Sequence, residues 1–153
     1  MSATHVSYDA PGWGVGELWL DGDLLLHHEL PRPAVGQRGN AHPLADRFVR
    51  YFAGAPDDFL DVELELDGST DFELELTETL RRVGRGETVT YGELAALAGR
   101  PNAQRAAGSF CARNRFSIVV PCHRVLAADG LGSYGSLGVE YKRRLLELEG
   151  VSL

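Results

Sequence analysis

Residues 90–113 read TYGELAALAGRPNAQRAAGSFCAR, and the punctuation inside this stretch decides the fold of the second half of the chain. Thr90 and Glu93 stand at capping-box spacing, where hydroxyl and carboxylate each satisfy a backbone N–H at a helix start. Leu94, Ala95, Ala96 and Leu97 continue as helix formers, and Gly99 suits the left-handed residue that follows a helix end. Pro101 blocks continuation, and Asn102 is expected to cap a second helix running to about Arg113. Two short helices joined by Gly-Arg-Pro-Asn make a helix-turn-helix pattern. Helix hairpins are common, so this pattern alone does not define a nucleic-acid reader.

The second helix says more. Arg105, Ser109 and Arg113 fall at i, i+4 and i+8 and share a face. Ala103, Ala106, Ala107, Gly108 and Ala112 surround them, and small side chains allow close approach to a nucleic-acid backbone that arginines can contact. Packing is the plainer use of small residues, and it is expected of Ala106, Ala107, Phe110 and part of Cys111. It does not account for the two arginines. Charge points the same way: residues 81–125 hold 8 arginines and 2 glutamates, whereas residues 1–80 hold 4 basic and 16 acidic groups. A cationic block inside a chain of net charge −7 is the footprint of a polyanion partner, or else a solvated arginine-rich surface.

The 153 residues, 44% hydrophobic and 24% charged, fit an ordinary globular protein and not a disordered one. No run approaches the roughly 18 apolar residues of a membrane span. The opening MSATHVSYDAPGWG has neither the basic start nor the apolar segment of a secretion signal. Two cysteines, Cys111 and Cys122, make no disulfide framework, so free thiols in the cytoplasm are expected.

Upstream, residues 16–30 predict two strands around Asp21-Gly22-Asp23, and residues 31–40 a loop. Leu44, Phe48, Tyr51 and Phe52 predict a helix over 42–53. LDVELELDG at 60–68 alternates and predicts a strand. Phe72, Leu76, Leu80 and Val83 form one stripe of a helix over 71–83, ended by Gly84 and Gly86. The fold class is therefore α+β, with a boundary at 68/69 between residues 1–68 and 69–153. His27 and His28 are adjacent in a strand and face opposite ways, with no ligand cluster around them, so no metal is expected.

The chemistry concentrates in IVVPCHRV, residues 118–125. Ile118-Val119-Val120 predicts a short buried strand that Pro121 ends. A cysteine is a useful nucleophile only as a thiolate, and His123 is the adjacent base. In an extended strand the two side chains would diverge, so either the proline introduces a turn or a water bridges them. A carboxylate should orient the imidazole; Glu147 and Glu149 are available near the C-terminus.

These residues resemble the O6-alkylguanine-DNA alkyltransferases. The likeness rests on Pro121-Cys122-His123-Arg124-Val125, on Gly86-Glu87 with Tyr91 to Pro101 and Arg105-Ala-Ala-Gly, and on Lys142 with Leu145 to Gly150. It runs collinearly over about 72–151, and more loosely over 12–68. It implies a small ribonuclease-H-like N-terminal unit followed by a winged helix-turn-helix domain that carries the active site. Cys122 would then accept an alkyl group from O6-alkylguanine, and also O4-alkylthymine, in double-stranded DNA, stoichiometrically and irreversibly. His123 would be the base through a water, Glu149 its orienting group, Asn114 the brace of the active-site turn, and Tyr91 a hydrogen-bond donor to the base. Arg105 would fill the gap left by the flipped base, with Tyr91, Arg113, Ala106, Ser109 and Arg124 as further DNA contacts. Cys122, Val125, Tyr134, Gly135 and Cys111 would line the base pocket. The resemblance implies a monomer without metal or cofactor; zinc-binding relatives use N-terminal cysteines that this chain lacks.

Four departures from the family pattern stand out. Arg115 replaces a proline, which implies a looser approach to the active site and an added DNA contact. Leu76-Thr77 replaces Val-Trp, Arg144 replaces a tryptophan, and the register of 133–138 differs. Rival readings are a non-catalytic reader of alkylated DNA, a cysteine hydrolase and a transcription factor. The first would lack Cys122, the second needs a histidine from elsewhere in the fold, and the third leaves the Cys-His pair without a use.

Overall fold

Hydrophobic alternation builds the first unit. In the computed structural model, which describes residues 2–34 and 40–153, β1 (Thr4–Ala10), β2 (Gly14–Asp21) and β3 (Leu24–Arg32) form an antiparallel sheet in that order. The β2–β3 hairpin expected from sequence is present, with Gly22 at φ 60° supplying the conformation that a two-residue turn needs at its first position. β1 gives only Val6 and Tyr8 as a strong apolar signal, too short an alternation to predict a strand. Residues 35–39 of the expected loop lie outside the described residues.

Val6, Tyr8, Leu18, Leu20 and Leu25 bury one face of this sheet beneath α1 (Pro43–Phe52). Gly16 is required there, because a Cβ would stand 2.1 Å from the Tyr8 ring. His42 caps α1 by accepting a hydrogen bond on Nδ1 from the Leu44 N–H. Phe48 is fully buried, its ring stacked 4.0 Å from His28 and 4.9 Å from Phe59.

The strand expected at 60–68 is absent: only Leu64 bridges, to Leu25, with Leu25 N–H on Glu63 O and Glu65 N–H on Leu25 O. Alternation predicts a strand, but a strand needs a partner for its full length. The edge of β3 is shared instead, since His28 bridges Phe116. Contacts therefore group residues 1–65 with 115–117, and 66–114 with 118–153, as two compact units. Arg115 belongs to the first. Its guanidinium donates to Leu26 O and Glu65 O and lies over the Phe116 ring. Arg115 is thus held within the first unit while its side chain stays partly exposed.

The second unit holds α2 (Asp71–Arg81), β4 (Val89–Thr90), α3 (Tyr91–Leu97), α4 (Gln104–Ala112), a 3₁₀ turn (Cys122–Arg124), β5 (Val125–Leu126) and α5 (Val139–Leu148). The expected stripe Phe72, Leu76, Leu80 and Val83 is buried. Both Thr70–Glu73 and Thr90–Glu93 close capping boxes. Gly99 takes φ 95° after α3 as expected. Asn102 does not cap α4; it sits at φ 73° in the connecting turn, and Ala103 occupies the cap position without a side-chain bond. Asparagine tolerates the left-handed region better than most residues, and the tight turn uses it there. No helix among the described residues is long and apolar enough to cross a membrane.

Burial makes His28 a pH sensor of the first unit. Its Nδ1–H donates to Ser117 O at 2.7 Å, so Nε2 accepts from Tyr8 O–H at 2.7 Å. Burial lowers its pKa to about 3. Between about pH 6.5, where the unfolded chain takes up the proton, and pH 3, only the unfolded state is protonated, so stability falls as pH falls. Urea unfolding should lose about 1.4 kcal/mol per pH unit from this group below about pH 6, and His28→Gln should remove one proton from that slope.

Candidate active site

Two short backbone segments bring the site together. β4 and β5 pair in parallel through Val89 with Val125 and Thr90 with Leu126. β4 runs directly into α3, so Tyr91 is the first helical residue, and β5 follows directly on the 3₁₀ turn of Cys122 and His123. A two-residue ladder thus fixes the phenol near the thiol.

Ile118, Val119 and Val120 are buried as expected, but not as a strand. Ile118 and Val119 form a turn, and Ile118 takes φ 76°. For a β-branched residue this conformation costs on the order of 1–3 kcal/mol, which the surroundings must hold in place. Asn114 supplies part of the hold: its Nδ2 donates to Val120 O at 2.8 Å and to Cys122 Sγ at 3.2 Å. After Pro121 the backbone tightens, with Cys122 N–H on Val120 O and Arg124 N–H on Pro121 O. Of the two possibilities left open by the sequence, the turn is present.

Of the two candidate carboxylates, Glu149 is buried and Glu147 exposed. Glu149 accepts from His123 Nε2 at 3.0 Å and from Arg124 Nε and Nη2 at 2.9 and 2.8 Å. Arg124 Nη1 also donates to Val83 O at 2.7 Å. Arg124, expected as a DNA contact, is only 6% exposed and holds the site from within; that expectation is corrected. Burial raises Glu149, but hydrogen bonds from His123 and Arg124 outweigh it and hold the carboxyl well below its ordinary range. An ionised Glu149 can only accept, so His123 Nε2 carries the hydrogen. Burial lowers the His123 pKa despite Glu149, which keeps the ring neutral. Nδ1 is therefore a bare lone pair, and it has no hydrogen-bond partner among the described residues.

Burial also pushes the Cys122 thiol well above its ordinary pKa, assisted by Cys111 and opposed by Asn114 and Lys142. Tyr91 is raised to about 12 by burial and by the two cysteines. Lys142 was missed as a site residue. It is fully buried, donates from Nζ to Val125 O at 2.6 Å and to Ser133 O at 3.4 Å, and lies 5.7 Å from the Tyr91 ring centre. One signal could have found it: Lys142, Leu145, Leu146 and Glu149 stand at i, i+3, i+4 and i+7, a single buried stripe.

The arginine face lies in the same unit. Arg105, Ala106 and Ser109 are exposed on α4, as is Arg113 at its C-terminal cap, and Ala107 is fully buried. Ala106 therefore does not serve packing, contrary to one of the two expectations for it. Arg113 also approaches Glu73 at 3.7 Å. A groove of about 630 Å³ includes Tyr91, Gly92, Asn102, Arg105, Gly108 and Ala127 in its lining. Tyr134 packs on Tyr141 with ring centres 6.4 Å apart, and Gly135 has φ 52° in the same loop. Among the described residues, no group of three His, Cys, Asp or Glu side chains is placed to hold a metal.

Residues 71–151, which contain all of these groups, match the family model described as 6-O-methylguanine DNA methyltransferase, DNA binding domain. A methylated-DNA–protein-cysteine methyltransferase of Methanopyrus kandleri is 47% identical over 128 residues, 84% of this chain and 94% of that protein. The chain belongs to the 6-O-methylguanine DNA methyltransferase family. A second family member, the methylated-DNA–protein-cysteine methyltransferase of Mycobacterium tuberculosis, is 48% identical over 68% of this chain and 62% of its own length. The crystal structure of the Mycobacterium tuberculosis O6-methylguanine methyltransferase superposes with a TM-score of 0.80 at 34% identity, covering 97% of this chain and 93% of that one. A structure of the Mycobacterium tuberculosis OGT in complex with DNA gives 0.78 at 36% identity, covering 95% and 92%.

Removing Glu149 from this family member should leave the Arg124 cation buried without its partner. Glu149→Ala is expected to cost roughly 3–5 kcal/mol, read by urea unfolding at neutral pH.

Proposed function

We propose that this chain repairs O6-alkylguanine, and O4-alkylthymine, in duplex DNA by moving the alkyl group onto its own Cys122, one group per molecule. The observation that carries this reading is the His123 ring. Glu149 claims its Nε2–H and leaves Nδ1 as the only basic site, one residue from a buried thiol. The Cys122 proton passes through a water to Nδ1, and the sulfur attacks the alkyl carbon. A C–S bond forms as the C–O6 bond breaks, and the electron pair leaves with the base. Tyr91, protonated at neutral pH because its pKa is about 12, donates to the departing guanine and lets it leave neutral. The thioether has no easy route back, so the protein is consumed.

The alkyl group lies inside the base stack, so the base must flip out to reach a thiol. Arg105 enters the duplex and fills the vacated space, while Ala106, Ser109 and Arg113 let α4 sit close to the backbone in the minor groove. Cys111, Val125, Tyr134 and Gly135 receive the base with Cys122; Val125 O has a second lone pair beyond the one that Lys142 uses. We read the first unit as ribonuclease-H-like and the second as a winged helix-turn-helix. The protein acts as a cytoplasmic monomer that needs no metal or cofactor.

The test is transfer from duplex DNA labelled on the O6-methyl group. Cys122→Ala should take up no label while still binding the duplex; label uptake by this variant would overturn the assignment. Arg105→Ala should slow duplex repair by roughly tenfold or more, equivalent to 1.4 kcal/mol or above, and leave reaction with free O6-alkylguanine nearly unchanged. Equal losses on the two substrates would remove Arg105 from base flipping.

A further inference from the structure

Lys142 is fully buried, and the transfer chemistry gives it no task. A buried ammonium is costly, and an apolar side chain of its volume would ordinarily serve the fold better. Its Nζ donates to two backbone carbonyls, Val125 O at 2.6 Å and Ser133 O at 3.4 Å. Val125 closes the 3₁₀ turn that Cys122 opens, and its N–H is bonded back to Cys122 O, so one tight turn joins the thiol residue to the first carbonyl. The second carbonyl belongs to the loop that carries Tyr134. Gly132, at φ 77°, brings that loop close: a Cβ there would stand 3.3 Å from Ala127 N and 3.5 Å from Lys142 Nζ. Tyr91 completes the group, with its ring centre 5.7 Å from Nζ. One amine thus ties the active-site turn to the loop.

The chemistry of the lesion decides what such a carbonyl can recognise. O6-alkylation removes the N1 proton of guanine, so N1 and N3 are acceptors and the exocyclic N2 amine is the only donor on the six-membered ring. O4-alkylthymine carries no such amine. A backbone carbonyl offers only lone pairs, so it favours the amine and repels an acceptor edge. We propose that Lys142 is a positioning residue that sets base preference, by holding Val125 O with its second lone pair directed at the N2 amine of O6-alkylguanine. The proposal rests on the reading that Val125 lines the base pocket, and it deepens that reading. The bond to Ser133 O keeps the Tyr134 loop in place beside the same carbonyl. Without the ammonium the carbonyl is free to turn, and the amine loses its partner; a base that lacks the amine loses nothing.

The test uses O6-methylguanine and O6-methylhypoxanthine, which differ only by the amine, at the same position of one duplex. Single-turnover rate constants for methyl transfer are read by intact mass for the parent, Lys142→Met and Lys142→Arg. The ratio of the two rate constants is taken within each protein, so molecules that fail to fold lower the amplitude and leave the ratio unchanged. The parent should prefer O6-methylguanine by about tenfold, the effect of one hydrogen bond. Methionine fills the same space without a donor, and in Lys142→Met the ratio should fall to within about twofold of one. Arginine's planar fork cannot place a single N–H where the ammonium does, so Lys142→Arg should lie between the two. Equal rates on the two purines in the parent, or the parent's ratio retained in either variant, would overturn the proposal. A parent that takes no methyl group from O6-methylguanine would instead overturn the repair reading on which it rests.

Discussion

The second unit of this protein is organised around one buried carboxylate. Glu149 caps α5, where the negative end of the helix dipole would ordinarily disfavour it, and it is nearly inaccessible to water. Arg124 and His123 make that position tenable, and in doing so they tie the 3₁₀ turn to the end of α5. Arg124 also reaches Val83 O beyond α2, and Arg85 donates to Leu148 O in the last turn of α5. Three elements distant in sequence thus share a few charge-assisted hydrogen bonds, the strong kind. Buried ion pairs are weak stabilisers compared with apolar packing. Their use here is positional: they fix which nitrogen of His123 holds a hydrogen and which does not.

From that constraint the resting chemistry follows. A neutral imidazole with a free Nδ1 sits next to a cysteine that burial keeps protonated. A permanently ionised thiolate would invite adventitious electrophiles and oxidants. Keeping the proton on sulfur until a base is in place favours the intended substrate over these. The strained Ile118 backbone and the Asn114 brace belong to the same design, since they set where the turn begins and where Sγ points. Lys142 completes the surroundings by fixing Val125 O on the far side of the turn.

What could be read in the sequence was local. The capping box at Thr90, the two-residue turn at Gly22, the left-handed Gly99 and the stripe from Phe72 to Val83 each depend on residues within a few positions, and each is present. The Cys122–His123 turn was legible because the two residues adjoin, and Glu149 was one of two options for the carboxylate that His123 meets. The failures were matters of distance or of backbone. The 60–68 alternation meets a neighbouring strand at a single bridge, Leu64 with Leu25, which no local pattern reveals. Ile118 takes a conformation its side chain disfavours, so a run of β-branched residues misleads. Arg115 and Arg124 look like free cations in sequence, but Glu65 and Glu149, 50 and 25 residues away, claim them. Asn102 serves a turn where a cap was expected, because Ala103 is the residue that opens α4.

The central claim is that Cys122 accepts one alkyl group and stops. Intact-protein mass after incubation with an excess of duplex DNA carrying one O6-methylguanine tests it most directly. The account requires a gain of one methyl group, mapped to Cys122, that saturates at one per chain while guanine is restored in the DNA. Tight lesion binding with no gain in mass, or repeated turnover with an unmodified chain, would contradict it.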